Sequence, residues 1–341
     1  ITSWGQQAAR RLKAWGFNGL GISPSTYVIP PQITDSKIPY TFPINASYYG
    51  LTNNGNYATG AFKDLVELAA ASAYTGYSGG SNPDIFDPLF DAYVDGRLRA
   101  TQADPFWGPT ISSPWSMGLT TDDADYLFGI GPGPEMPGPD GFIAPNFGWF
   151  AAVVAPQKTS STKWGVTYAD SKVYTKYALQ SFLQAKYGNI PALNTAWGSD
   201  YTTWDSNGGY GVGTGFLDEN GRNTAWLGDT EGRLIGASAM VVTDLDNFVY
   251  EYAKKYFSVL RTRIKQYFPN QLVWGPDPFN SHAGLTRKQI FQAAGQYLDV
   301  MYAGIVSNPQ LEKTVEYAGE IPIVTWEGLV ANPDSALSAY P

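Results

Sequence analysis

The sequence predicts an α/β protein, a (β/α)8 TIM barrel with long loop insertions. Short apolar segments alternate with amphipathic helical segments along the chain, which is typical of a parallel sheet with right-handed crossovers. No glycine-rich phosphate-binding fingerprint follows any apolar segment, which disfavours a nucleotide-binding doubly wound sheet. Two of the apolar segments end in carboxylates, and the carboxyl ends of barrel strands are where catalytic residues lie.

Six segments are predicted to be strands because they are short, apolar and bounded by Gly, Pro or Asn. They cover residues 17–22, 40–44, 115–121, 271–275, 298–303 and 321–327. A barrel of this class has eight strands, so we expect its first and last strands to lie outside this sequence. Residues 1–341 then form a single barrel domain, with insertions near 24–60, 129–165 and 205–235.

Helices are predicted between these strands from apolar spacing and from capping residues. In the segment 3–15, which ends before Gly16, apolar residues recur at helical spacing, namely Trp4, Ala8, Leu12 and Trp15. In the segment 84–99, Asp87 is the expected N-cap and Pro88 fits the first turn. The other predicted helices cover residues 171–187, 189–198, 243–267, 287–294 and 311–318.

Charge excludes several classes of partner. The 341-residue chain has a formal net charge of −8, and its only notable basic cluster is Arg10-Arg11-Leu12-Lys13. A nucleic acid partner requires a larger basic surface, so we expect none. No run of about 18 apolar residues is present, so we expect no membrane partner. Oligomeric state is left open by the sequence.

The scarcity of Cys and His limits the possible chemistry. The chain has no Cys and one His, His282. Thiol catalysis, disulfides, Cys-ligated zinc and multi-His metal sites are therefore excluded, and we expect no metal and no cofactor. Proton transfer in an enzyme of this composition depends mostly on carboxylates, Tyr or Lys.

Aromatic residues are unusually abundant and suggest a carbohydrate partner. They make up 15% of the chain, including 11 Trp and 23 Tyr. Flat rings with a polar edge can stack on sugar faces, whereas the alternative is an aromatic-rich core. The tryptophans considered as stacking residues are Trp107, Trp115, Trp149 and Trp326.

Two strands that end in acids form the candidate catalytic pair. Glu327 follows the apolar run that begins at Ile321, and Asp122, Asp123 and Asp125 follow the segment 115–121. With a missing first strand added, these are the fourth and seventh strands, which face each other across a barrel mouth. A carboxylic acid and a carboxylate on opposite sides of a cleft are the requirement for glycoside cleavage. Burial near an aromatic residue would raise one pKa and keep that group protonated.

Four segments resemble the clan A glycoside hydrolases of the β-agarase and β-galactosidase type. Leu12-Lys-Ala-Trp-Gly-Phe-Asn-Gly-Leu-Gly21 is similar to their opening segment, and Asp84-Ile-Phe-Asp-Pro-Leu-Phe90 resembles a helix start. Ile190-Pro-Ala-Leu-Asn-Thr-Ala-Trp-Gly198 resembles a third segment, and Pro322-Ile-Val-Thr-Trp-Glu-Gly328 is similar to the strand that carries the nucleophile. The resemblance implies a retaining (β/α)8 glycosidase acting on a β-linked oligo- or polysaccharide, with Glu327 as nucleophile.

The second acid departs from the family pattern. Those families end the fourth strand in Asn-Glu, whereas the stretch Gly118-Leu-Thr-Thr-Asp-Asp-Ala-Asp125 contains no Glu. Asp123 is the preferred acid/base, with Asp122 and Asp125 as alternatives and Glu135 as a more distant one. The other interpretation of these aspartates is an N-cap in an acidic loop.

Further candidates follow the strands that lie between the two acids. Asp277, Asn280 and His282 follow the segment 271–275 and are predicted to contact sugar hydroxyls, unless they serve only the turn around Pro276. Tyr302 ends its strand and is predicted to orient the nucleophile carboxylate, with a core tyrosine as the alternative.

The sequence therefore predicts a secreted glycoside hydrolase, extracellular or periplasmic, that acts in polysaccharide degradation. The alternative is a catalytically inactive carbohydrate-binding protein on a glycosidase barrel. The sequence leaves the sugar, the linkage and endo or exo action undetermined.

Overall fold

The computed structural model describes residues 2–20, 37–44, 84–120, 172–209, 212–219, 239–275, 288–303 and 308–325. The described strands are β1 (Tyr40–Pro43), β2 (Ser116–Thr120), β3 (Leu272–Gly275), β4 (Val300–Ala303) and β5 (Ile323–Thr325). The first described helices are α1 (Thr2–Ala14), α2 (Pro88–Ala103), α3 (Trp107–Ile111) and α4 (Tyr174–Tyr187). They are followed by α5 (Ile190–Trp197), α6 (Ala239–Tyr267), α7 (Lys288–Tyr297) and α8 (Asn308–Ala318).

The strands form one parallel sheet whose order is the order of the chain. β1 pairs with β2, β2 with β3, β3 with β4 and β4 with β5, all in parallel. Leu20 adds a parallel bridge to Tyr40, so the first predicted strand lies beside β1. Each predicted strand segment thus contributes to the sheet. The predicted α/β class and parallel pairing are confirmed by the described residues.

The two faces of the sheet have different neighbours because successive side chains of a strand point to opposite sides. Leu119, Val273 and Met301 belong to the main hydrophobic core, which they share with the helices. Trp274 and Val300 form a separate cluster with Met117. We call the face that carries Trp274 and Val300 the inner face.

The helix α6 is the centre of the main core. Its 29 residues bury a stripe at helical spacing, which is Leu245, Val249, Tyr252, Tyr256 and Leu260. The Tyr256 ring lies 5.9 Å from that of Phe90 on α2. A single long helix therefore aligns α2 and α7 against the sheet, and burial of this stripe is a main contribution to its stability.

Two neighbouring aspartates fix the starts of two helices, α2 and α4. Asp87 is the N-cap, as predicted, and its carboxylate accepts a 3.0 Å hydrogen bond from the Leu89 N–H. Asp84 is fully buried and accepts 2.8 Å hydrogen bonds from the N–H groups of Tyr174 and Thr175. The same carboxylate therefore satisfies the first N–H groups of α4, which have no partner within the helix.

A buried carboxylate joins α4, α5 and α6. Asp244 has no exposed surface and accepts hydrogen bonds from the Trp197 indole at 2.8 Å and the Tyr187 hydroxyl at 2.5 Å. It also forms an ion pair with Lys186. Three donors from two helices compensate the desolvation of this charge.

Asp299 fixes the beginning of β3. Its carboxylate accepts a 3.0 Å bond from the Val273 N–H, and its own N–H donates to the Val273 carbonyl at 2.8 Å. Arg261 lies 2.8 Å and Lys265 3.0 Å from the carboxylate, both from the last turns of α6. The register of β3 and β4 is thereby tied to the end of α6.

The packing of α1 differs from the simplest expectation. Ala9 is fully buried against Leu20, Ile38 and Tyr40, and the predicted apolar residues Ala8 and Leu12 pack against the same cluster. Trp4 and Trp15, the two large rings of the predicted set, are 57% and 70% exposed. Gly16 ends the helix, as predicted, with φ at +87°.

Two described elements were not predicted. One is α3, whose apolar residues are too few to show a period. The other is the short 3-10 helix Phe216–Asp218, within a segment predicted to be irregular. None of the described helices combines the length and the apolarity needed to cross a membrane.

Candidate active site at the carboxyl edge of the sheet

The strands end together at one edge of the sheet, which we call the carboxyl edge. Pro43 is in register with Thr120, and Thr120 with Trp274. Gly275 is in register with Met301, and Ala303 with Thr325. Because the strands are parallel, residues that follow β1 to β5 all leave the sheet at this edge, the usual location of chemistry in such folds.

Both strands predicted to carry the catalytic acids end at the carboxyl edge. Asp122, Asp123 and Asp125 come two to five residues after Thr120, and Glu327 comes two residues after Thr325. The acids themselves, with Trp326 and Glu135, lie outside the described residues. β3 and β4 separate the two strands, so their ends are roughly 14 Å apart measured along the sheet, at about 4.8 Å per strand.

Most of the other residues predicted to contact the substrate follow β3 or belong to β4, the two strands between β2 and β5. Asp277, Asn280 and His282 follow Gly275 and lie outside the described residues, as does Trp149. Tyr302 is part of β4, and its Cα is in register with Val324 of β5. Tyr302 therefore belongs to the strand next to the one that precedes Glu327, and its assignment to a role stays a prediction.

Neither described tryptophan of the predicted stacking set lies on the inner face at the carboxyl edge. Trp115 immediately precedes β2, at the opposite end of that strand from Thr120, and packs on the cluster of Ala9, Leu20, Ile38 and Tyr40. Trp107 lies on α3, on the helix side of the sheet, with its ring 5.1 Å from that of Phe42. Both rings contribute to packing, so neither is retained as a stacking residue at the carboxyl edge.

Sequence reasoning missed a cross-strand contact under the carboxyl edge. The Trp274 side chain is 8% exposed, and its indole N–H donates a 3.0 Å hydrogen bond to the Met117 carbonyl of β2. A Cβ on Gly118 would lie 2.8 Å from Cδ1 of this ring and 2.1 Å from the Leu272 carbonyl oxygen. The glycine is required for this approach, and a Gly within a predicted strand is the signal that a close neighbour exists.

The inner face near the carboxyl edge carries small polar side chains. Thr41 and Thr120 are buried on β1 and β2, and the Thr120 hydroxyl lies 3.4 Å from the Phe42 carbonyl oxygen. At the other end of β2, the hydroxyl of Ser116 is buried without a hydrogen-bond partner. Neither β1 nor β2 contains an acidic residue. Any carboxylate at this end of the two strands therefore has to come from the segments that follow them.

The described segments 201–209 and 212–219 include part of the predicted insertion 205–235, and they bond to each other. The Asn207 carboxamide oxygen accepts bonds from the N–H groups of Thr214 and Gly215, at 2.8 and 3.0 Å. Asp218 accepts from the Asn207 N–H at 2.8 Å and from the Ser206 hydroxyl. Burial would raise the pKa of Asp218, but these donors outweigh it and lower the pKa below its usual range.

Helix α4 holds these segments from one side. The buried Lys176 ammonium donates a 2.7 Å bond to the Glu219 carbonyl, and the Gln180 amide donates to the Trp204 carbonyl at 2.8 Å. The Tyr201 hydroxyl donates to the Glu219 carboxylate at 2.8 Å. The described part of this insertion is thus an ordered structure, built by side chains that bond to the main chain.

Comparison with known proteins finds agarases among the relatives. No family model matches the chain. Over 325 residues it is 24% identical to β-agarase A of Vibrio sp. (strain JT0107), covering 87% of this chain and 23% of that protein. The chain is similar to the β-agarases. The resemblance drawn from the four sequence segments is thereby confirmed.

Solved agarase structures share the fold. An exo-β-agarase superposes with a TM-score of 0.60 at 19% identity, covering 95% of this chain and 35% of that one. The agarase AgWH50C gives a TM-score of 0.59 at 18% identity, with 95% and 36% coverage. At these identities the similarity establishes the fold. This chain spans about a quarter of the length of the curated agarase and about a third of the solved ones.

Proposed function

We propose that the chain is the catalytic part of a glycoside hydrolase that cleaves a β-linked polysaccharide by a retaining, two-carboxylate mechanism. One observation carries this proposal: β2 and β5 end at the same edge of a parallel sheet, and each is followed within three residues by a carboxylic acid. Two such groups facing each other about 5 to 5.5 Å apart are the requirement for retention.

The barrel explains how acids on separated strands approach each other. We infer that the sequential parallel sheet is the larger part of a (β/α)8 barrel, in which Leu20 belongs to the second strand, β2 is the fourth and β5 the seventh. Measured across the strands of the sheet, the ends of β2 and β5 are roughly 14 Å apart. When the sheet curves into a barrel, these ends approach each other across the mouth, and the acidic side chains span the remaining distance.

Glu327 is the proposed nucleophile and Asp123 the proposed acid/base. Protonated Asp123 donates its proton to the glycosidic oxygen while the Glu327 carboxylate forms a bond to the anomeric carbon. The bond between that carbon and the glycosidic oxygen breaks, and the leaving sugar departs with a new hydroxyl group. Deprotonated Asp123 then removes a proton from a water molecule, whose oxygen attacks the anomeric carbon and releases Glu327. Asp122 and Asp125 are the alternatives for the acid/base.

The neighbouring strands supply the proposed positioning groups. Asp277, Asn280 and His282 follow β3 and bond to sugar hydroxyls, and Tyr302 on β4 orients the Glu327 carboxylate. Trp326 and Trp149 are the remaining proposed stacking residues. The contact between Trp274 and Met117 ties β3 to the beginning of β2, the strand that Asp122 and Asp123 follow.

The proposed substrate class is agar-type polysaccharide, because the similar proteins are named agarases. The net charge of −8 favours a neutral glycan over a sulfated or carboxylated one, since like charges repel. Because the sequence predicts secretion, we propose that the chain acts outside the cytoplasm.

Glu327→Gln tests the proposal directly. We expect hydrolysis of an aryl β-galactoside or of agaro-oligosaccharides to fall at least about 10³-fold, while the variant still binds the oligosaccharide. Glu320→Gln, at an exposed position before β5, is the control and should retain activity. Unchanged turnover in Glu327→Gln would reject the nucleophile assignment. NMR of the first product tests the stereochemistry, which we expect to be retained.

The second candidate is an inactive carbohydrate-binding protein. It is favoured by one observation, the absence of Glu between Gly118 and Asp125, where the resembled families have the acid/base. One measurement on the wild-type protein, the turnover of β-linked substrates, distinguishes the two functions. Oligosaccharide binding with no turnover on any of the β-linked substrates tested would support this candidate and reject hydrolysis.

A further inference from the structure

A polar groove lies on the helix side of the protein, away from the carboxyl edge. It has a volume of about 730 Å³ and is formed by α6, α7 and the end of α8. We call it the outer groove, and its main side chains are Asn247, Tyr250, Gln289, Gln292, Gln296 and Tyr317. No residue of β1 to β5 lines it, so it is separate from the site proposed for catalysis. Its volume is in the range typical of ligand pockets.

The amide of Gln289 is the first indication of a ligand. This side chain is only 9% exposed, yet among the described residues it forms no hydrogen bond, although it lines the outer groove. Its amide faces the groove rather than another described side chain, so its donors and acceptor are open to a bound molecule. A ligand that offers both donors and acceptors could replace water as their partner.

Other amides around the groove are also available for bonding. Asn247 and Gln292 are exposed and form no side-chain hydrogen bond with described residues. Gln296 donates a 2.8 Å bond to the Tyr250 hydroxyl, which leaves the hydroxyl proton and the Gln296 oxygen free to bond elsewhere. Carboxamides present a donor and an acceptor side by side, which matches the hydroxyl groups of a sugar.

Half-buried aromatic residues form the apolar part of the groove. Phe182, Tyr250 and Tyr317 line it and pack against the main core. The Phe182 ring lies 5.8 Å from that of Phe248, which is buried. These rings are therefore held in place before a ligand binds, which reduces the entropic cost of binding. Such rings pack against the C–H faces of a sugar.

The charges at the groove argue for a neutral ligand. Glu251, Glu316 and Lys288 contribute two acids and one base to its lining. Glu251 lies 3.5 Å from the Lys254 ammonium, so part of this charge is compensated. Among the described residues that line the groove, there is no cluster of cations for phosphate or sulfate and no strong acidic field for a cation.

We propose that the outer groove is a second carbohydrate-binding site, which takes a neutral oligosaccharide and holds polysaccharide on the protein away from the proposed active site. The groove itself is argued from the side chains that line it. Only the choice of an agar-derived sugar as the first probe rests on the proposed function. Binding at this site would raise the local concentration of a long substrate without contributing to its chemistry.

Titration calorimetry with an agarose-derived hexasaccharide tests the proposal, followed by a panel of other neutral hexasaccharides. The protein is used in the Glu327→Gln background so that the ligand is not consumed.

Three substitutions remove the groove amides. Gln289→Met keeps the side-chain length and removes the amide, and Asn247→Ala with Gln292→Ala removes the exposed amides. We expect two sites in the parent protein and one in the triple variant. Gln7→Ala, an exposed glutamine on α1, is the matched control.

Activity gives an independent readout. Otherwise wild-type protein with the three groove substitutions should hydrolyse a small aryl glycoside normally but degrade insoluble polysaccharide several-fold more slowly. If the triple variant binds every sugar of the panel as its parent does, the groove proposal is rejected. Dimers that dissociate on Asn247→Ala with Gln292→Ala would also reject it, because the groove would then be a protein interface. Activity that survives Glu327→Gln rejects the proposed nucleophile instead, and the groove titration is then made with a hexasaccharide of the panel that the variant does not hydrolyse.

Discussion

The indole of Trp274 on β3 donates its N–H to the main-chain carbonyl of Met117 on β2, at 3.0 Å. The ring reaches that carbonyl because Gly118, the next residue of β2, has no side chain. Gly118 also has φ at +143°, a conformation that residues with a Cβ rarely adopt. Two strands that precede proposed site residues are therefore joined by a side chain, at a carbonyl three residues before the end of β2.

Gly118→Ala should destabilise the protein by about 2–4 kcal/mol, the sum of overpacking and backbone strain. The added Cβ would lie 2.1 Å from the Leu272 carbonyl oxygen, which belongs to the backbone of a central strand and has little freedom to move. Urea unfolding followed by tryptophan fluorescence measures the change. Catalytic activity should fall as well, because the end of β2 is displaced.

Gly188→Ala separates the two contributions. Gly188 also has positive φ, at +74°, but nothing lies within 4 Å of an added Cβ. Its replacement should therefore cost only the backbone term, about 1–2 kcal/mol. An equal loss of stability in both variants would show that the contact with β3 is unimportant.

Asp244→Ala should reduce the free energy of unfolding by about 3–5 kcal/mol, since it leaves Lys186, Tyr187 and Trp197 without their shared acceptor. Tyr187→Phe removes only the hydroxyl that bonds to this carboxylate and should cost less than half as much. Thermal unfolding by calorimetry compares the two. A larger loss in Tyr187→Phe than in Asp244→Ala would contradict the central position of the carboxylate.

Stability should decline in acid partly through Asp299. Burial by itself would raise the pKa of this group, but the Val273 N–H and the Arg261 and Lys265 side chains together lower the pKa below its ordinary value. The folded state therefore binds the proton less tightly than the unfolded state. The resulting stabilisation is complete above about pH 4–5 and is lost as the pH falls through the lowered pKa.

Asp299→Asn tests this pH dependence by urea unfolding between pH 3 and 7. The variant should be less stable at neutral pH, and its stability should fall less steeply below about pH 4 than that of the wild type. Glu312→Gln, at an exposed position on α8, is the control and should leave the curve unchanged. Parallel curves for the wild type and Asp299→Asn would refute the assignment.

Alanine substitution at Asp122, Asp123 and Asp125 in turn should identify the acid/base. Loss of the general acid slows cleavage of poor leaving groups far more than that of an aryl glycoside with a good one. We therefore expect Asp123→Ala to lose at least about 10²-fold on oligosaccharides. Added azide should restore turnover of the aryl substrate and give a β-glycosyl azide, because azide attacks the intermediate without base assistance. If azide restores turnover only in Asp122→Ala or only in Asp125→Ala, that aspartate is the acid/base instead of Asp123.

Local patterns in the sequence were sufficient for most of the fold. The N-cap Asp87, the helix stop at Gly16 and the strand ending at Gly275 were all predicted, because capping groups, positive φ and apolar runs act within a few residues. The sequence did not show which residue of α1 is buried against the sheet edge. Trp4 and Trp15 recur with the helical period, but they are exposed and the smaller Ala9 is fully buried.

The candidate site shows the same division between local and long-range information. Sequence alone determined the types and order of all but two of the described elements, the absence of thiol chemistry, and the two acid-bearing segments after β2 and β5. These features depend on residue identity and on neighbours along the chain. Only the tertiary structure decided that Trp115 packs at the beginning of β2 and Trp107 on the helix side of the sheet, that Trp274 reaches across to Met117, and that amides from separate helices surround one groove. These relationships join residues far apart in the chain, and the packing of whole helices and strands fixes them rather than any local propensity.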